Sequence, residues 1–318
     1  MSEQVTVLYV GGYSRSGSTL LDRLLGQIPG FFSAGELRHI WERGFRENQL
    51  CGCGQPFYSC EFWSAVGEEA FGGLDQVDAD EVLELKRAVD RIRYVPHHAL
   101  AAKTTSDGRL TGRVREYAVI LERLYSAIQR VSGARVIVDS SKFSSYAFLL
   151  NRLPSIDLRL VHLARDSRAV AHSWQRQKVR PEITSHLEYL PRIGAAKVSL
   201  EWNLANYVID LFSKFMAHAP LLQYEGLARD PALHINRVLR EAGLGEASAL
   251  SFISGSQAML GTDHVVAGNP MRFKHGAIEL RLDEEWRRKM GTASRRLVTV
   301  LTAERLRRYG YLGANRRA

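Results

Sequence analysis

A glycine-bounded loop near the N-terminus carries the densest set of anion-binding groups in the chain: Ser14-Arg15-Ser16-Gly17-Ser18-Thr19, preceded by Gly11-Gly12. Hydroxyls, the converging amides of a tight turn and one guanidinium are the donors that a phosphate-like group requires. Against the nucleotide-binding pattern G-x-x-x-x-G-K-[ST], Gly12, Gly17 and Thr19 fall in register, but Ser18 stands at the lysine position. The loop therefore suits a phosphate-like anion yet lacks the side chain that reaches a γ-phosphate. Arg15 is its nearest cation. Lys142 closes the run Asp139-Ser140-Ser141-Lys142, and Arg165 opens a segment in which Ser173 follows about two helical turns later. A ligand reached from all three places has at least two separate anionic groups. Gly268–Gly276 adds Arg272, Lys274 and His275 between glycines, a further loop able to wrap an anion. Glu36 is the carboxylate expected beside the first loop, and His39 is the runner-up base.

These groups need elements to hold them. The β-branched, apolar run Val5, Val7, Leu8, Val10 predicts a buried parallel strand, and Leu20, Leu21, Leu24 and Leu25 predict the helix after the loop. Residues 30–36 predict a short second strand ending in Gly-Glu, with a helix from about Leu37. Arg135–Val138 and Leu158–Leu163 are further strands, each followed by a helix, the second over Ser167–Lys178. A long amphipathic helix over roughly Ala195–Ala217, a strand Leu221–Tyr224, a helix after Pro231 and two closing amphipathic helices complete the pattern. Successive β-loop-α units imply a parallel sheet, whose strand ends supply ligand groups. The fold class is α/β, a P-loop-like three-layer fold with a central parallel sheet flanked by helices. Residues 1–318 form one domain, with a mostly helical insertion at about 45–132 that helps form an acceptor pocket. In that insertion Val82, Leu83, Leu85, Val89 and Ile92 make one apolar face, and Val114, Ala118, Leu121, Leu124, Tyr125 and Ile128 another.

Composition sets bounds. The 318 residues carry 45% hydrophobic and 24% charged side chains, an ordinary globular balance. No apolar run approaches the roughly 20 residues of a membrane span, and the start MSEQ lacks a leader pattern, so a cytoplasmic protein without stable membrane insertion is expected. The net charge of +9 fits either a solvated basic surface or attraction of a small polyanion. Nucleic acid is not the expected partner, because zinc-finger spacing, aromatic RNP runs and arginine-rich arms are all missing. Cys51, Cys53 and Cys60 are odd in number, which argues against a secreted disulfide framework. Their spacing invites zinc, but a structural site takes four ligands, and nothing in the sequence places His97 or His98 nearby as the fourth. The expectation is a tight loop packed by Phe57, Phe62 and Trp63, with a redox-sensitive cysteine pair and no metal.

GYSRSGSTLL after the first strand, VHLARDSRAVAHSW, QYEGL and the late basic loop resemble the sulfotransferase superfamily, whose donor is 3′-phosphoadenosine 5′-phosphosulfate (PAPS). The resemblance spans roughly residues 5–280. GELRHIW…LCGCG…FW is similar to a bacterial branch near the carbohydrate and tyrosylprotein enzymes. The resemblance implies that Arg15, Ser16, Gly17, Ser18 and Thr19 cradle the 5′-phosphosulfate, and that Arg165 and Ser173 hold the 3′-phosphate. It further implies Tyr224 near the adenine and Arg272 in a loop closing over the 3′-phosphate, although GNPMRF departs from the family's RKG form. Lys142 would contact the transferring sulfuryl group. Glu36 would be the base, where the tyrosylprotein branch has a doubled glutamate and this chain has Glu36-Leu37. The implied reaction uses PAPS, releases PAP, needs no metal, and sulfates a hydroxyl of a small molecule such as a sugar, glycolipid or secondary metabolite. The oligomeric state stays open, a homodimer included. Two alternatives stand beside it: a P-loop small-molecule or nucleotide kinase using Asp139 as its metal-binding aspartate, and a non-catalytic module for a phosphorylated ligand.

Overall fold

The computed structural model describes residues 4–95, 112–177, 179, 188–247 and 250–312. Strand β1 (Val5–Gly12) lies at the centre of a five-stranded sheet with β2 (Phe31–Gly35), β3 (Val136–Lys142), β4 (Ile156–Ala164) and β5 (Leu221–Gln223). The order is β2-β3-β1-β4-β5 and every pairing is parallel. The period-2 alternation of β1 explains its composition. Val5, Val7 and Tyr9 face one core, and Leu8 and Val10 face the other, so both sides are apolar.

The second core packs α1 (Ser18–Gly26) through Leu21, Leu24 and Leu25. The first is covered by the helices α2 (Glu61–Phe71), α3 (Ala79–Val89) and α4 (Gly112–Ser132), followed by α5 (Ser144–Leu150). Helix α4 buries every residue of its expected apolar face. The α3 face stops short: the helix ends at Val89, and Ile92 is exposed. Helices α6 (Ser167–Gln175), α7 (Ala195–Ser213), α8 (Tyr224–Arg229) and α9 (Pro231–Glu241) follow. The expected end of α6 at Lys178, and His97 and His98, lie outside the described residues.

Three features depart from expectation. Leu37–His39 is a 3-10 turn and Ile40–Arg46 a π-helical segment, where an ordinary helix was expected. The C-terminal third also contains an antiparallel sheet of β6 (Ile253–Ser254), β7 (Gln257–Leu260) and β8 (Gly276–Glu279), too short for periodicity to reveal. Three helices rather than two close the described chain: α10 (Trp286–Lys289), α11 (Thr292–Leu301) and α12 (Ala303–Arg308). No helix among the described residues is long and apolar enough to cross a membrane.

Candidate active site

Each strand of the main sheet delivers a polar or aromatic group at its carboxyl end. The Tyr13–Gly17 loop follows β1, Glu36 follows β2, Lys142 ends β3, Arg165 follows β4 and Tyr224 follows β5. They border one cavity of about 270 Å³, lined among others by Arg15, Thr19, Glu36, Lys142, Arg165 and Ser173. Parallel strands point their carboxyl ends one way, so residues far apart in sequence converge there.

The loop is shaped to receive an anion. Arg15 and Gly17 sit at φ 70° and 93°, and α1 starts without a side-chain cap, leaving its first amides unclaimed. The Ser16 hydroxyl is buried with no protein partner. Gly17 is required by contact: a Cβ there would lie 2.4 Å from the Tyr224 ring. Arg15 stacks over Trp174 at 4.9 Å, so its guanidinium is oriented before any ligand arrives.

Arg165 is fixed on three sides. It donates to the Arg15 carbonyl at 3.0 Å and to Asp283 Oδ2 at 3.2 Å, and it stacks over Tyr224 at 4.5 Å. Its Nε is buried without a protein acceptor. Ser173, two turns along α6, lines the same cavity. Burial alone would push the Asp283 carboxyl up, but the Arg165 charge and hydrogen bond, the Glu285 amide and the Arg176 charge together hold it below the usual range.

At the other end of the cavity Lys142 Nζ donates to Glu36 Oε1 at 2.6 Å and to the Ser140 carbonyl at 2.9 Å. Register shifts put both residues there. The β1–β3 pairing slips between Tyr9 and Gly11, and the β2–β3 pairing slips between Ser33 and Gly35. Such bulges re-aim side chains, and Lys142 takes φ 73° in consequence. Two of the four described non-glycine residues with positive φ, Arg15 and Lys142, line this cavity, and a third, Ala267, immediately precedes its lining residue Gly268. That is a concentration of strain of the kind that functional sites retain. Burial would raise the Glu36 pKa, but the charges of Lys142, Arg43 and Arg272 together lower it below the ordinary glutamate value. His39 Nε2 lies 3.8 Å from Glu36 Oε2, beyond a hydrogen bond. Burial, reinforced by Arg43 and Lys86, holds this imidazole well below its usual pKa and therefore neutral.

No protein-family model matches the chain, and no curated protein matches it. Among solved structures it is similar to the sulfotransferase domain from the Synechococcus PCC 7002 olefin synthase, at 20% identity and TM-score 0.52, over 99% of this chain and 98% of that one. The chain has the sulfotransferase fold. Two further structures score lower and add no weight. They are the sulfotransferase domain from the curacin biosynthetic pathway (14% identity, TM-score 0.46, over 95% of this chain and 99% of that one) and sulfotransferase STF9 from Mycobacterium avium (12%, 0.45, 97% and 77%).

Within this sulfotransferase fold, Arg272 departs from expectation. It is 1% exposed, donates to the Leu50 carbonyl at 3.1 Å and stacks on Phe273 at 4.7 Å, beneath the loop instead of in the cavity. Asn269 and Met271 line the cavity in its place, and the Asn269 amide donates to Thr19 Oγ1 at 3.3 Å. Arg23 anchors this loop and escaped sequence reasoning. Fully buried on α1, it donates to Asp263 at 2.7 Å and to the carbonyls of Gly261, Met271 and Lys274. Arg43 was also missed, because the π-helical segment that turns it into the cavity has no sequence signature. Trp174 stands in the quoted HSW motif, but only the structure shows it beneath Arg15.

A second cavity of about 460 Å³ opens on the far side of Lys142. It shares Ser14, Lys142 and Trp174 with the first, and adds Tyr13, Phe143, Ile193 and Leu204. Arg38 stacks on Phe143 at 3.8 Å and pairs with Asp90 at 2.6 Å, which leaves a mostly apolar chamber with a charged rim. Ile193 lies just ahead of α7; residues 180–187 lie outside the description.

Proposed function

We propose that this protein is a sulfotransferase that moves the sulfuryl group of PAPS to a hydroxyl of a sugar, glycolipid or secondary metabolite by in-line displacement. One observation carries the reading: two anion-binding sets, Arg15–Thr19 and Arg165 with Ser173, border one cavity that also holds the Lys142–Glu36 pair. A donor with a 3′-phosphate and a 5′-phosphosulfate carries one anionic group for each set. In this reading Tyr224 lies beside the adenine, and the loop Gly268–Met271 covers the donor.

The residues present divide the chemistry. The acceptor oxygen attacks sulfur, the bond from sulfur to the 5′-phosphate oxygen breaks, and the acceptor proton passes to the Glu36 carboxylate. Arg15, Lys142 and the loop amides neutralise charge on the equatorial and bridging oxygens. Lys142 has a double role. Paired with Glu36 it keeps that carboxylate ionised; drawn toward the sulfuryl oxygens it leaves Glu36 more basic at the moment a proton must be accepted. The apolar second cavity, reached past Lys142, is the acceptor's place.

The kinase alternative loses its aspartate. Asp139 is fully buried, accepts from the Ser141 amide at 2.8 Å and from the Tyr125 and Ser141 hydroxyls at 2.5 Å, and lines neither cavity. Burial, its largest influence, pushes its carboxyl up to about 6. Incubating the protein with 35S-labelled PAPS and panels of sugars, glycolipids and phenolic metabolites, with and without EDTA, tests the proposal. Transfer of label that persists in EDTA is the expected result. Phosphoryl transfer from ATP that requires Mg²⁺, with no label transfer from PAPS, would overturn it.

A further inference from the structure

We infer that Cys51, Cys53, Cys60 and His264 bind one zinc ion, which clasps the loop covering the first cavity to the end of β2. The four side chains lie on two segments far apart in sequence, yet their ligand atoms are all within 4.8 Å of one another. Cys60 Sγ lies 3.7 Å from both Cys51 Sγ and Cys53 Sγ. His264 Nδ1 lies 3.2 Å from Cys60 Sγ and 3.8 Å from Cys51 Sγ. A tetrahedral zinc with bonds of about 2.3 Å to sulfur and about 2.0 Å to nitrogen puts neighbouring ligands roughly 3.5–3.8 Å apart. The three edges at 3.7–3.8 Å match that tetrahedron, the Cys60–His264 edge at 3.2 Å is shorter, and every remaining edge is within 4.8 Å, so a small closure around one ion suffices. They do not match a disulfide, whose sulfurs lie about 2.05 Å apart, and all three thiols are free.

The surroundings complete the site. Backbone amides of Cys53, Gln55 and Trp63 point at the sulfurs of Cys51, Cys53 and Cys60, which offsets the negative charge of three thiolates. Trp63 Nε1 donates to the His264 carbonyl at 2.9 Å, and Phe62 stacks on the imidazole at 5.0 Å. The two ligand segments also pair directly, Gly52 N–H donating to the Val265 carbonyl at 3.0 Å. Glycine is needed there, since a Cβ would sit 2.6 Å from the Asp263 carbonyl. A three-thiolate, one-imidazole set with tetrahedral edges favours zinc over harder divalent ions, and four protein ligands leave no open position. The ion is therefore structural.

Its position gives it a task. Two residues beyond His264, Val266 donates to the Ala34 carbonyl at 3.0 Å and accepts from the Glu36 amide at 2.8 Å. Gly268 then lies against Thr19 and Glu36. The metal thus anchors the strip of backbone that carries the cavity's cover.

Metal analysis of the reduced, purified chain is expected to return about one zinc per chain, displaced when a mercurial reagent titrates the three thiols. Cobalt substitution is expected to give the ligand-field bands of a tetrahedral ion and a thiolate-to-metal charge-transfer band. Cys60→Ser and His264→Ala lose the ion, whereas His264→Cys retains it as a four-thiolate site. In the wild type, zinc removal speeds amide exchange at Val266–Asn269 about tenfold or more. A wild-type chain that takes up no zinc under reducing conditions, or a His264→Ala variant that binds it as tightly as wild type, would overturn the site. Exchange rates unmoved by zinc removal would overturn the clasp. All these readouts are independent of turnover, so they stand or fall separately from the sulfotransferase reading.

Discussion

The two cavities that meet at Lys142 are made of different materials. The first is walled by loops at strand ends, where backbone amides, Arg15 and Arg165 are held in place by hydrogen bonds and ring stacking. The second is walled by side chains from distant elements: Phe143 after β3, Ile193 ahead of α7 and Leu204 within it. An anion is recognised by fixed donors, so its site must be rigid and close to the chain's regular frame. An apolar acceptor is recognised by shape, which substitutions on helix faces change without disturbing that frame. Under the proposed function, the donor and the reaction are tied to the sheet, and the acceptor to what packs over it.

The largest effects belong to the pair between the cavities. Lys142→Ala and Glu36→Gln are each expected to lower kcat by about 10²–10⁴-fold, measured with saturating PAPS and acceptor; a loss under about tenfold in both would remove this pair from the chemistry. The pH profile sharpens the assignment. Glu36 is held below the ordinary glutamate value, so its carboxylate persists as pH falls and the acid limb of kcat/KM lies below the range of an ordinary glutamate. In Lys142→Ala the lowering charge is gone, burial dominates, and the residual activity has its acid limb shifted upward. A wild-type limb near pH 6.5 would instead point to a histidine.

Arg165→Ala comes next. Loss of a charge-assisted contact of about 1.5–3 kcal/mol is expected to raise the KM for PAPS by about 10–150-fold. The same variant should leave the KM for adenosine 5′-phosphosulfate, which lacks the 3′-phosphate, unchanged; an equal loss for both donors would break the division of the cavity into two anion sites. Smaller effects belong to the second cavity. Leu204→Ala, losing about 1 kcal/mol of apolar contact, is expected to raise acceptor KM about fivefold with donor KM unmoved. His39→Asn is the smallest: within about twofold in kcat and with the same pH profile, because the neutral imidazole makes no hydrogen bond to Glu36.

The parts of the site legible in the sequence are those in which one short segment carries both the frame and the function. Arg15–Thr19 follows a β-branched strand and precedes a leucine-rich helix, so strand, turn and helix N-terminus could all be read together. Lys142 and Arg165 were legible for the same reason, each at the end of an apolar run. Which way Arg272 points was not legible, because a basic side chain between glycines resembles an anion clamp in either orientation. Burial under the loop is a tertiary fact. Arg43 was hidden by a π-helical turn, and Asp283 lies more than a hundred residues from the Arg165 it holds.

By itself the sequence determined that this chain is α/β, that its strand ends bear cations and hydroxyls, and that its first loop suits an anion without a γ-phosphate. Periodicity and local spacing encode those facts, because side-chain direction alternates or rotates regularly within one element. Only the tertiary structure decided that Lys142 and Glu36 touch, that Arg23 pins the covering loop, and that His264 comes to Cys60 across a separation of 204 residues. Those contacts depend on how the sheet edge and the C-terminal loop close on each other, a relation that no local pattern carries.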